Sequence, residues 1–339
     1  MNNNKNRIYV AGIGVPYFDQ LLSIDTLPIT DHGASTLDSS WQYGGKVPTA
    51  LIALARLGYR SSIHANVGGI FGKCIKLDFE RHGVDCSNLN DIPKTQSGVV
   101  VCLAEKSTGG RSFLGFKQPV YTPDITIEEL NKNLLLSAEW LLISDVGKTS
   151  EQAARWFKEL NKPVVIDADY YSTEQDSINK LTLIDHFIAS EYAYKNLIKI
   201  IENSNETDYE KNLRVINSWQ KNKRAVTIVT LGSNGVAGID ENGKFFKFPA
   251  YKINVVDTTG AGDVFHGAYI AGRLNNLDTE NACQFAQAVS AIKCTKLGGR
   301  AAIPTQIQVK EFMETGKYDF PELDERAAYY REPPFDRIL

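Results

Sequence analysis

The stretch Asp257-Thr-Thr-Gly-Ala-Gly-Asp263 combines residue types that suit chemistry at a phosphate group. An apolar run before it predicts a strand, and apolar or small residues at helical spacing after it predict a helix. Gly260, Ala261 and Gly262 have little or no side chain, so a ligand can approach their backbone N–H groups closely. Unpaired N–H groups at a helix start form an anion site, which would stabilise the charge on a phosphoryl group during transfer.

Asp263 ends this stretch and would lie in the first turn of the predicted helix, beside the anion site. A carboxylate at that place can accept a proton from an attacking hydroxyl. Because a helix N-terminus favours the ionised carboxylate, we expect Asp263 to be ready as a base at neutral pH. A glycine-rich turn with a capping aspartate has the same short pattern, so the spacing alone leaves both interpretations open.

The elements that must position this loop alternate between strands and helices. Short apolar runs predict strands at residues 8–13, 63–67, 140–144, 164–167, 186–189 and 226–231, and amphipathic stretches predict helices at residues 49–57, 150–160 and 209–222. Most of the runs are continuously apolar, as expected for strands covered on both faces. This order predicts an α/β fold with three α/β/α layers and a central, mostly parallel sheet.

Residues 97–104 and 111–116 break this rhythm, because they are two strand-like runs around a Glu-Lys-Ser-Thr-Gly-Gly turn. That pattern predicts a β-hairpin. Together with a β-prone segment at residues 34–43, the hairpin would form a small β lid over a cleft, at about residues 34–43 and 97–117. An edge extension of the main sheet is the alternative.

The composition narrows the class of protein. The 339 residues carry a formal net charge of −3, which gives no global electrostatic reason to bind nucleic acid or an anionic membrane. The five cysteines show neither CxxC nor zinc-ligand spacing, a pattern typical of reduced thiols in the cytoplasm. The chain begins with polar residues, and no apolar run approaches the roughly 18 residues of a membrane span. We therefore expect a soluble, cytoplasmic protein.

Five blocks of the sequence resemble motifs of the ribokinase-like sugar kinases, also called the pfkB family. Residues 257–265 resemble its C-terminal signature, and Gly44-Gly45-Lys46 with the following helix resembles its N-terminal signature. Residues 67–85, 230–235 and 297–304 resemble a helical unit, the nucleotide-side loop and the segment that closes the adenine pocket. The blocks follow the family's order, which implies a kinase domain at residues 1–316 that includes the β lid. Residues 317–339 would be a C-terminal tail.

The resemblance implies an enzyme, an ATP-dependent carbohydrate kinase that transfers the γ-phosphoryl group to a hydroxyl of a monosaccharide. A fructose-like ketose or ribose is the expected substrate. Asp263 would deprotonate the attacking hydroxyl, and Gly260, Ala261 and Gly262 would form the anion hole. Magnesium is implied as well, because the charge of a polyphosphate needs a hard cation that bridges its oxygens.

The same resemblance implies residues that bind the sugar. Asp19 would grip sugar hydroxyls from the loop after the first strand, since a carboxylate can accept hydrogen bonds from two neighbouring hydroxyls. Arg111, on the predicted lid, would meet an anionic group of the substrate or else stay solvated. The remaining substrate-binding candidates are Gly44, Gly45 and Lys46.

On the nucleotide side, the resemblance implies four binding residues, which are Thr230, Gly232, Gly235 and Gly298. Asp257 resembles a residue that holds a monovalent cation next to the anion hole in many relatives, so we expect activation by potassium, with a carboxylate that only fixes the loop as the alternative. Asp167 and Asp169 end a predicted strand and would support the nucleotide or cap a turn, whereas His266 is expected to be packed or solvated.

Three departures from the family pattern leave the substrate open, one of which is Ile70 in place of an acidic residue often seen within the glycine-rich block after Val67. The family often has an Asn-x-x-Glu pair that influences magnesium placement, and the matching segment here begins Ser190-Glu191, so Glu191 is only an indirect magnesium candidate. An asparagine of the N-terminal signature is Thr49 here, which weakens the case for ribose. The alternatives are a nucleoside or sugar-acid kinase and a non-catalytic sugar- or nucleotide-binding paralogue. Pairing of lid edges between two chains would give a homodimer.

Overall fold

A computed structural model describes residues 7–108, 110–116, 121–202 and 204–338 of the chain. Its strands are β1 (Val10–Ile13), β2 (Tyr17–Ile24), β3 (Thr36–Gly44), β4 (Ser61–Val67), β5 (Asp85–Asp91), β6 (Val99–Glu105), β7 (Arg111–Phe116), β8 (Trp140–Ile143), β9 (Val164–Asp167), β10 (His186–Ser190), β11 (Val226–Thr230), β12 (Val236–Ile239) and β13 (Phe245–Phe248). Its helices are α1 (Lys46–Arg56), α2 (Gly69–Arg81), α3 (Lys132–Ser137), α4 (Lys148–Glu159), α5 (Gln175–Lys180), α6 (Glu191–Leu197), α7 (Tyr209–Trp219), α8 (Ala261–Leu274), α9 (Thr279–Lys293), α10 (Gln306–Thr315) and α11 (Pro321–Arg331).

The main sheet has nine strands in the order β13-β12-β11-β10-β9-β8-β1-β4-β5. All of its pairs are parallel except those of β12 and β13 at one edge. Successive strand residues face two different apolar clusters: Val10 belongs to the cluster that contains α1 and α8, and Ala11 to the cluster that contains α4. The sheet is therefore covered on both faces, which confirms the predicted three-layer α/β fold and all six predicted strands.

A second sheet forms the lid, with four strands in the order β3-β2-β6-β7. The predicted hairpin is the antiparallel pair β6–β7, and the predicted segment at residues 34–43 is β3. The sequence did not predict β2, and Asp19 lies on this strand rather than in a loop. Asp19 interrupts the apolar pattern of β2, because its face of the strand lines a cleft. Residues 109 and 117 of the predicted lid lie outside the described residues.

The strand register separates the two faces of the lid. Leu21 pairs with Cys102 and Cys102 with Phe113, so these residues share one face with Asp19 and Arg111, at two-residue spacing. We call this the cleft face, because Cys102 Sγ lies 3.8 Å from Thr259 Oγ1 in the loop before α8. The opposite, outer face carries Leu22, Val101, Leu103 and Leu114.

The residues after 316 pack onto the rest of the chain. Phe320, Leu323 and Tyr330 are buried in the same apolar cluster as α1 and α8. The Tyr330 hydroxyl donates a 2.8 Å hydrogen bond to Asp78 Oδ1 on α2. The division into a kinase domain and a tail at residue 316 stays a prediction. Within the described residues, every helix is too short or too polar to cross a bilayer.

Candidate active site

The segment that leads into the candidate anion loop is not the predicted strand. The side chains of Val255 and Val256 are 59% and 60% exposed. The backbone N–H groups of Val256 and Asp257 donate to the Cys294 carbonyl oxygen at 2.8 and 3.2 Å. The segment therefore runs along the C-terminal end of α9 and uses its N–H groups there, which prevents it from joining a sheet.

The loop then turns into α8 through Gly260, the N-cap, whose φ of 73° lies in the left-handed region that favours glycine. A Cβ atom on Gly262 would meet no neighbour within 4 Å, so the backbone there is open to a ligand. The Ala261 N–H donates to the Thr258 carbonyl oxygen at 3.1 Å and is already engaged. The first-turn amides of Gly262 and Asp263 are therefore the better anion donors, because the first turn of a helix has no intrahelical acceptors.

Asp263 is half-buried in the first turn of α8. Burial and the neighbouring carboxylates of Asp167, Asp169 and Asp19 raise its pKa well above the usual range, against the opposing charge of Lys46. The expectation of a fully ionised carboxylate considered only the helix start, and burial together with these three carboxylates outweighs that effect. A raised pKa moves Asp263 towards the operating pH, where a general base is most effective.

Asp167 links the starts of two helices. Its Oδ1 lies 3.8 Å from Lys46 Nζ at the start of α1, and its Oδ2 lies 3.4 Å from His266 Nδ1 on α8. His266 Nδ1 also lies 2.7 Å from the Gly262 carbonyl oxygen, so the histidine is buried and bonded as expected. Lys46 Nζ is 4.6 Å from the centroid of the Tyr170 ring, which fixes the ammonium near the cleft.

Close packing of α1 and α8 sets the distance between these helix starts. A Cβ atom on Gly267 of α8 would lie 2.2 Å from the Ala50 carbonyl oxygen and 3.0 Å from the Ala53 Cβ of α1. Gly267 therefore permits α1 and α8 to approach more closely than any larger residue at this position would allow.

The sugar-side candidates meet where the lid joins α1. A Cβ atom on Gly44 would lie 2.1 Å from Asp19 Oδ2, so the Gly44 backbone lies against this carboxylate. Gly45 is the N-cap of α1, with a φ of 95°. Asp19 Oδ1 is buried and has no hydrogen-bond partner in the described chain. Burial raises the pKa of Asp19 to about 7, and the charge of Arg300 opposes this rise.

A buried charge network, which the sequence did not predict, supports this junction. Arg300 is fully buried, donates to Asp78 Oδ2 at 2.6 Å and reaches the Gly44 carbonyl oxygen at 3.3 Å. Asp78 also accepts the Tyr330 hydroxyl, so α2, α11 and the end of β3 are tied together. The only signal in the sequence was an arginine within the small and apolar residues at 297–303.

Arg111 lies exposed on the cleft face of the lid, on the same side as Asp19. Burial raises the pKa of Cys102 and of Tyr170, and the Arg111 charge opposes the rise at both groups. Its guanidinium is thus close to both walls of the cleft, which places a positive charge at the cleft mouth.

The four nucleotide-side candidates fall into two groups. Thr230 ends β11 and Gly232 begins the next turn, where a Cβ atom would meet nothing within 4 Å. Packing explains why residue 235 is a glycine, since a Cβ atom there would lie 1.9 Å from the Phe248 carbonyl oxygen. Gly298 lies apart from them and donates its N–H to Asp257 Oδ2 at 2.8 Å.

The oxygens of Asp257 are engaged by groups of the chain itself. Thr259 donates both its N–H and its hydroxyl to Asp257 Oδ1, at 2.9 and 2.7 Å. The fully buried Lys293 donates to the Asp257 carbonyl oxygen at 2.9 Å. These contacts do not fit the expected monovalent cation at Asp257. No sequence pattern indicated a role for Lys293, because a lysine at the end of an amphipathic helix usually faces solvent.

Glu191, the indirect magnesium candidate, begins α6 and lies 3.0 Å from Lys195 Nζ one turn later. Among the described residues, no group of three or more His, Cys, Asp or Glu is arranged to hold a metal ion.

Comparison with known proteins adds independent support. The family model described as pfkB family carbohydrate kinase matches residues 30–306. The ribokinase of Haemophilus influenzae is 25% identical over 306 residues, covering 89% of this chain and 94% of that protein. The 5-dehydro-2-deoxygluconokinase of Clostridium perfringens is 20% identical over 299 residues, covering 84% and 87%.

Solved structures share the fold. A putative ribokinase II from E. coli, determined in complex with ATP and Mg²⁺, superposes with a TM-score of 0.75 at 21% identity and covers 91% of this chain and 99% of its own. Since the family match spans most of the sequence and agrees with the three-layer fold, the chain belongs to the pfkB family of carbohydrate kinases and is a phosphotransferase.

Proposed function

We propose that this chain is an ATP-dependent kinase that transfers the γ-phosphoryl group to a hydroxyl of a monosaccharide, with a fructose-like ketose or ribose as the substrate. One observation carries the proposal. Asp263 stands in a helical first turn beside the open backbone of Gly262, and Asp19 on the lid is near enough to raise its pKa. A base, an anion site and a hydroxyl-binding group thus share one cleft.

In the proposed step, the Asp263 carboxylate accepts the proton of the attacking sugar hydroxyl. The hydroxyl oxygen forms a bond to the γ-phosphorus, and the bond from that phosphorus to the β–γ bridging oxygen breaks. ADP leaves with the electron pair of the broken bond. The first-turn N–H groups of Gly262 and Asp263 would stabilise the charge on the transferred group.

Asp19 would hold the sugar from the lid. Its buried Oδ1 lacks a partner in the described chain, and a carboxylate can accept bonds from two neighbouring hydroxyls. The Gly44 backbone lies against this carboxylate, Gly45 caps the adjacent helix, and Lys46 begins it. Ribose and fructose-like ketoses both present such hydroxyl pairs, which is why the proposal includes both.

A sugar acid is the second candidate substrate, because Arg111 lies on the same lid face as Asp19. A guanidinium there would pair with a substrate carboxylate while Asp19 holds the hydroxyls. With Arg111→Met, we expect the KM of a sugar acid to rise and that of a neutral sugar to stay unchanged. Equal KM changes for both sugars would exclude this role.

ATP would lie on the nucleotide side, near Thr230, Gly232 and the segment around Gly298. Mg²⁺ would arrive with the polyphosphate and neutralise its charge. Glu191 would act on it only through water, since its carboxylate is paired with Lys195.

We also propose a cytoplasmic location and a homodimer. All five cysteines are free thiols, which supports a reducing compartment. The outer face of the lid exposes Leu114, and Leu37 on β3 is also exposed, at 57% and 55%. Apolar side chains on a sheet with free edges favour contact with a second copy.

The test of the proposed step is Asp263→Asn, which keeps the shape of the side chain and removes the base. We expect kcat to fall about 10²- to 10⁴-fold, with an unchanged circular dichroism spectrum. Asp176→Asn is the matched control, because Asp176 also lies in the first turn of a helix but is solvent-exposed and paired with Lys180. Wild-type kcat in Asp263→Asn would refute the assignment.

Identification of the substrate requires a coupled ADP-release screen across pentoses, hexoses, sugar acids and nucleosides. We expect the highest kcat/KM with ribose or a ketose. ATP consumption with any of them excludes the non-catalytic alternative, and a preference for nucleosides would replace the monosaccharide.

A further inference from the structure

Lys293, the last residue of α9, has a completely buried side chain, 0% exposed. A buried ammonium is costly unless it is paired and hydrogen-bonded. Lys293 Nζ donates to the Asp257 carbonyl oxygen at 2.9 Å and lies 3.9 Å from Asp257 Oδ2. The positive charge therefore rests on one carbonyl and one carboxylate oxygen, which are the oxygen types that bind a monovalent cation.

The remaining lone pairs of Asp257 have donors as well. Thr259 donates twice to Oδ1, and the Gly298 N–H donates to Oδ2 at 2.8 Å. Burial would raise the pKa of Asp257, but the Lys293 charge and these hydrogen bonds outweigh burial and hold the pKa below its usual range. Asp257 is thus an ionised carboxylate with a permanent partner.

The contacts reach the anion loop by a short route. Asp257 holds Thr259 by two hydrogen bonds, and Thr259 directly precedes Gly260, the left-handed N-cap of α8. Loss of the Lys293 charge would leave Asp257 buried and unpaired, and the loop would shift to hydrate it. Such a shift moves the first-turn amides of α8 relative to the phosphate.

We propose that the Lys293 ammonium is a built-in counter-ion of the anion loop and takes the place of a monovalent cation, so that this enzyme works without potassium. The inference rests on the proposed kinase function. Lys293 acts through Asp257 and touches no reacting atom, so it is a positioning residue.

The first test is a potassium titration of wild-type kcat at constant ionic strength, with choline as the replacement ion. We expect no change in the wild type. Lys293→Ala, which removes the charge and opens space beside Asp257, should lower kcat about 10²-fold in choline, and potassium should restore it in a saturable manner. Lys293→Met, which removes the charge but fills the space, should stay low in potassium.

The second readout is thermal unfolding, which needs no turnover. An ion that binds only the folded state raises the melting temperature in a saturable manner. We expect potassium to do so for Lys293→Ala and not for the wild type or Lys293→Met. Lys158→Ala is the matched control, since this lysine in the last turn of α4 pairs with Asp185 outside the cleft.

Saturable activation of the wild type by potassium would overturn the inference. So would full kcat of either Lys293 variant in choline, or a folded Lys293→Ala that potassium neither activates nor stabilises. If Lys293→Ala fails to fold, the potassium titration of the wild type and the kcat of Lys293→Met still test whether Lys293 replaces the cation. If the wild type phosphorylates no sugar, the kinase proposal fails, and the melting temperatures still test the cation site.

Discussion

Two carboxylates of the cleft, Asp19 and Asp263, both have a pKa that burial raises. At Asp19 the Oδ1 atom also lacks a partner in the described chain, and at Asp263 the neighbouring carboxylates raise the pKa further. Perturbed carboxylates in one cleft are typical of functional sites. The substrate would supply the missing partner of each carboxylate. Sugar hydroxyls would donate hydrogen bonds to Asp19, and the attacking hydroxyl would pass its proton to Asp263.

Asp19→Asn should separate function from stability. The variant loses an acceptor for sugar hydroxyls, so we expect the sugar KM to rise by roughly 10- to 100-fold, which corresponds to about 1–3 kcal/mol. Wild-type KM should also rise as the pH falls below about 7, where Asp19 takes up its proton. Steady-state kinetics between pH 5.5 and 8.5, conditions we choose to span this pKa, measures both effects.

The same variant tests the direction in which the stability of the folded state changes with pH. The folded pKa of Asp19, about 7, exceeds its ordinary value of 3.8, so the folded state binds the proton more tightly. The stabilisation is complete below pH 3.8 and is lost as the pH rises through 7. Asp19→Asn, which stays neutral, should therefore melt at a higher temperature than the wild type at alkaline pH, with a smaller difference in acid. A difference independent of pH would contradict the burial argument.

At the scale of elements, the site depends on contacts between helix starts and loops more than on the strands. Lys46 begins α1, and Asp263 lies in the first turn of α8. Asp167, at the end of β9, contacts Lys46 of α1 and His266 of α8. The distance between α1 and α8 is set at Gly267. A change there should affect activity without altering any group that contacts substrate.

Gly267→Ala tests this spacing. The added methyl would collide with the Ala50 carbonyl oxygen, so we expect the free energy of unfolding to fall by about 1–3 kcal/mol, the usual cost of overpacking. We also expect kcat to fall, because Asp263 moves relative to Lys46. Urea unfolding and ADP-release kinetics measure the two effects. Gly33→Ala is the control, since a Cβ atom there meets nothing within 4 Å, and an unchanged Gly267→Ala would refute the spacing argument.

Six of the nine main-sheet strands were predictable, because each of the six contains a buried apolar run. The edge strand β5 was missed because its sequence, DCSNLND, is mostly polar, and β12 and β13 were also missed. The apolar segment before Asp257 was mispredicted as a strand, since its pairing with the end of α9 depends on residues far along the chain. β2 was missed because Asp19 belongs to a cleft and breaks its apolar pattern. The contact of Lys293 with Asp257 joins residues 36 positions apart, and no local pattern predicts it.

For the whole molecule, the lid is the part with two roles. Its cleft face carries Asp19 and Arg111 towards the site, while its outer face presents Leu114. With a formal net charge of only −3, electrostatic repulsion does little to keep two copies apart. Under the proposed function, the lid would bind the sugar with one face and a second copy of the chain with the other.

Leu114 and Phe113 are neighbours in the sequence, exposed to similar degrees, 57% and 56%, on opposite faces of β7. If the outer face forms the proposed homodimer, Leu114→Asp should convert a dimer into a monomer, because an aspartate in an apolar interface would be buried without a partner. Phe113→Asp should remain dimeric and raise the sugar KM, since it adds a negative charge to the cleft face. Sedimentation velocity of both variants and the wild type measures the association. A monomeric wild type, or equal dissociation by both variants, would contradict a dimer formed through the outer face.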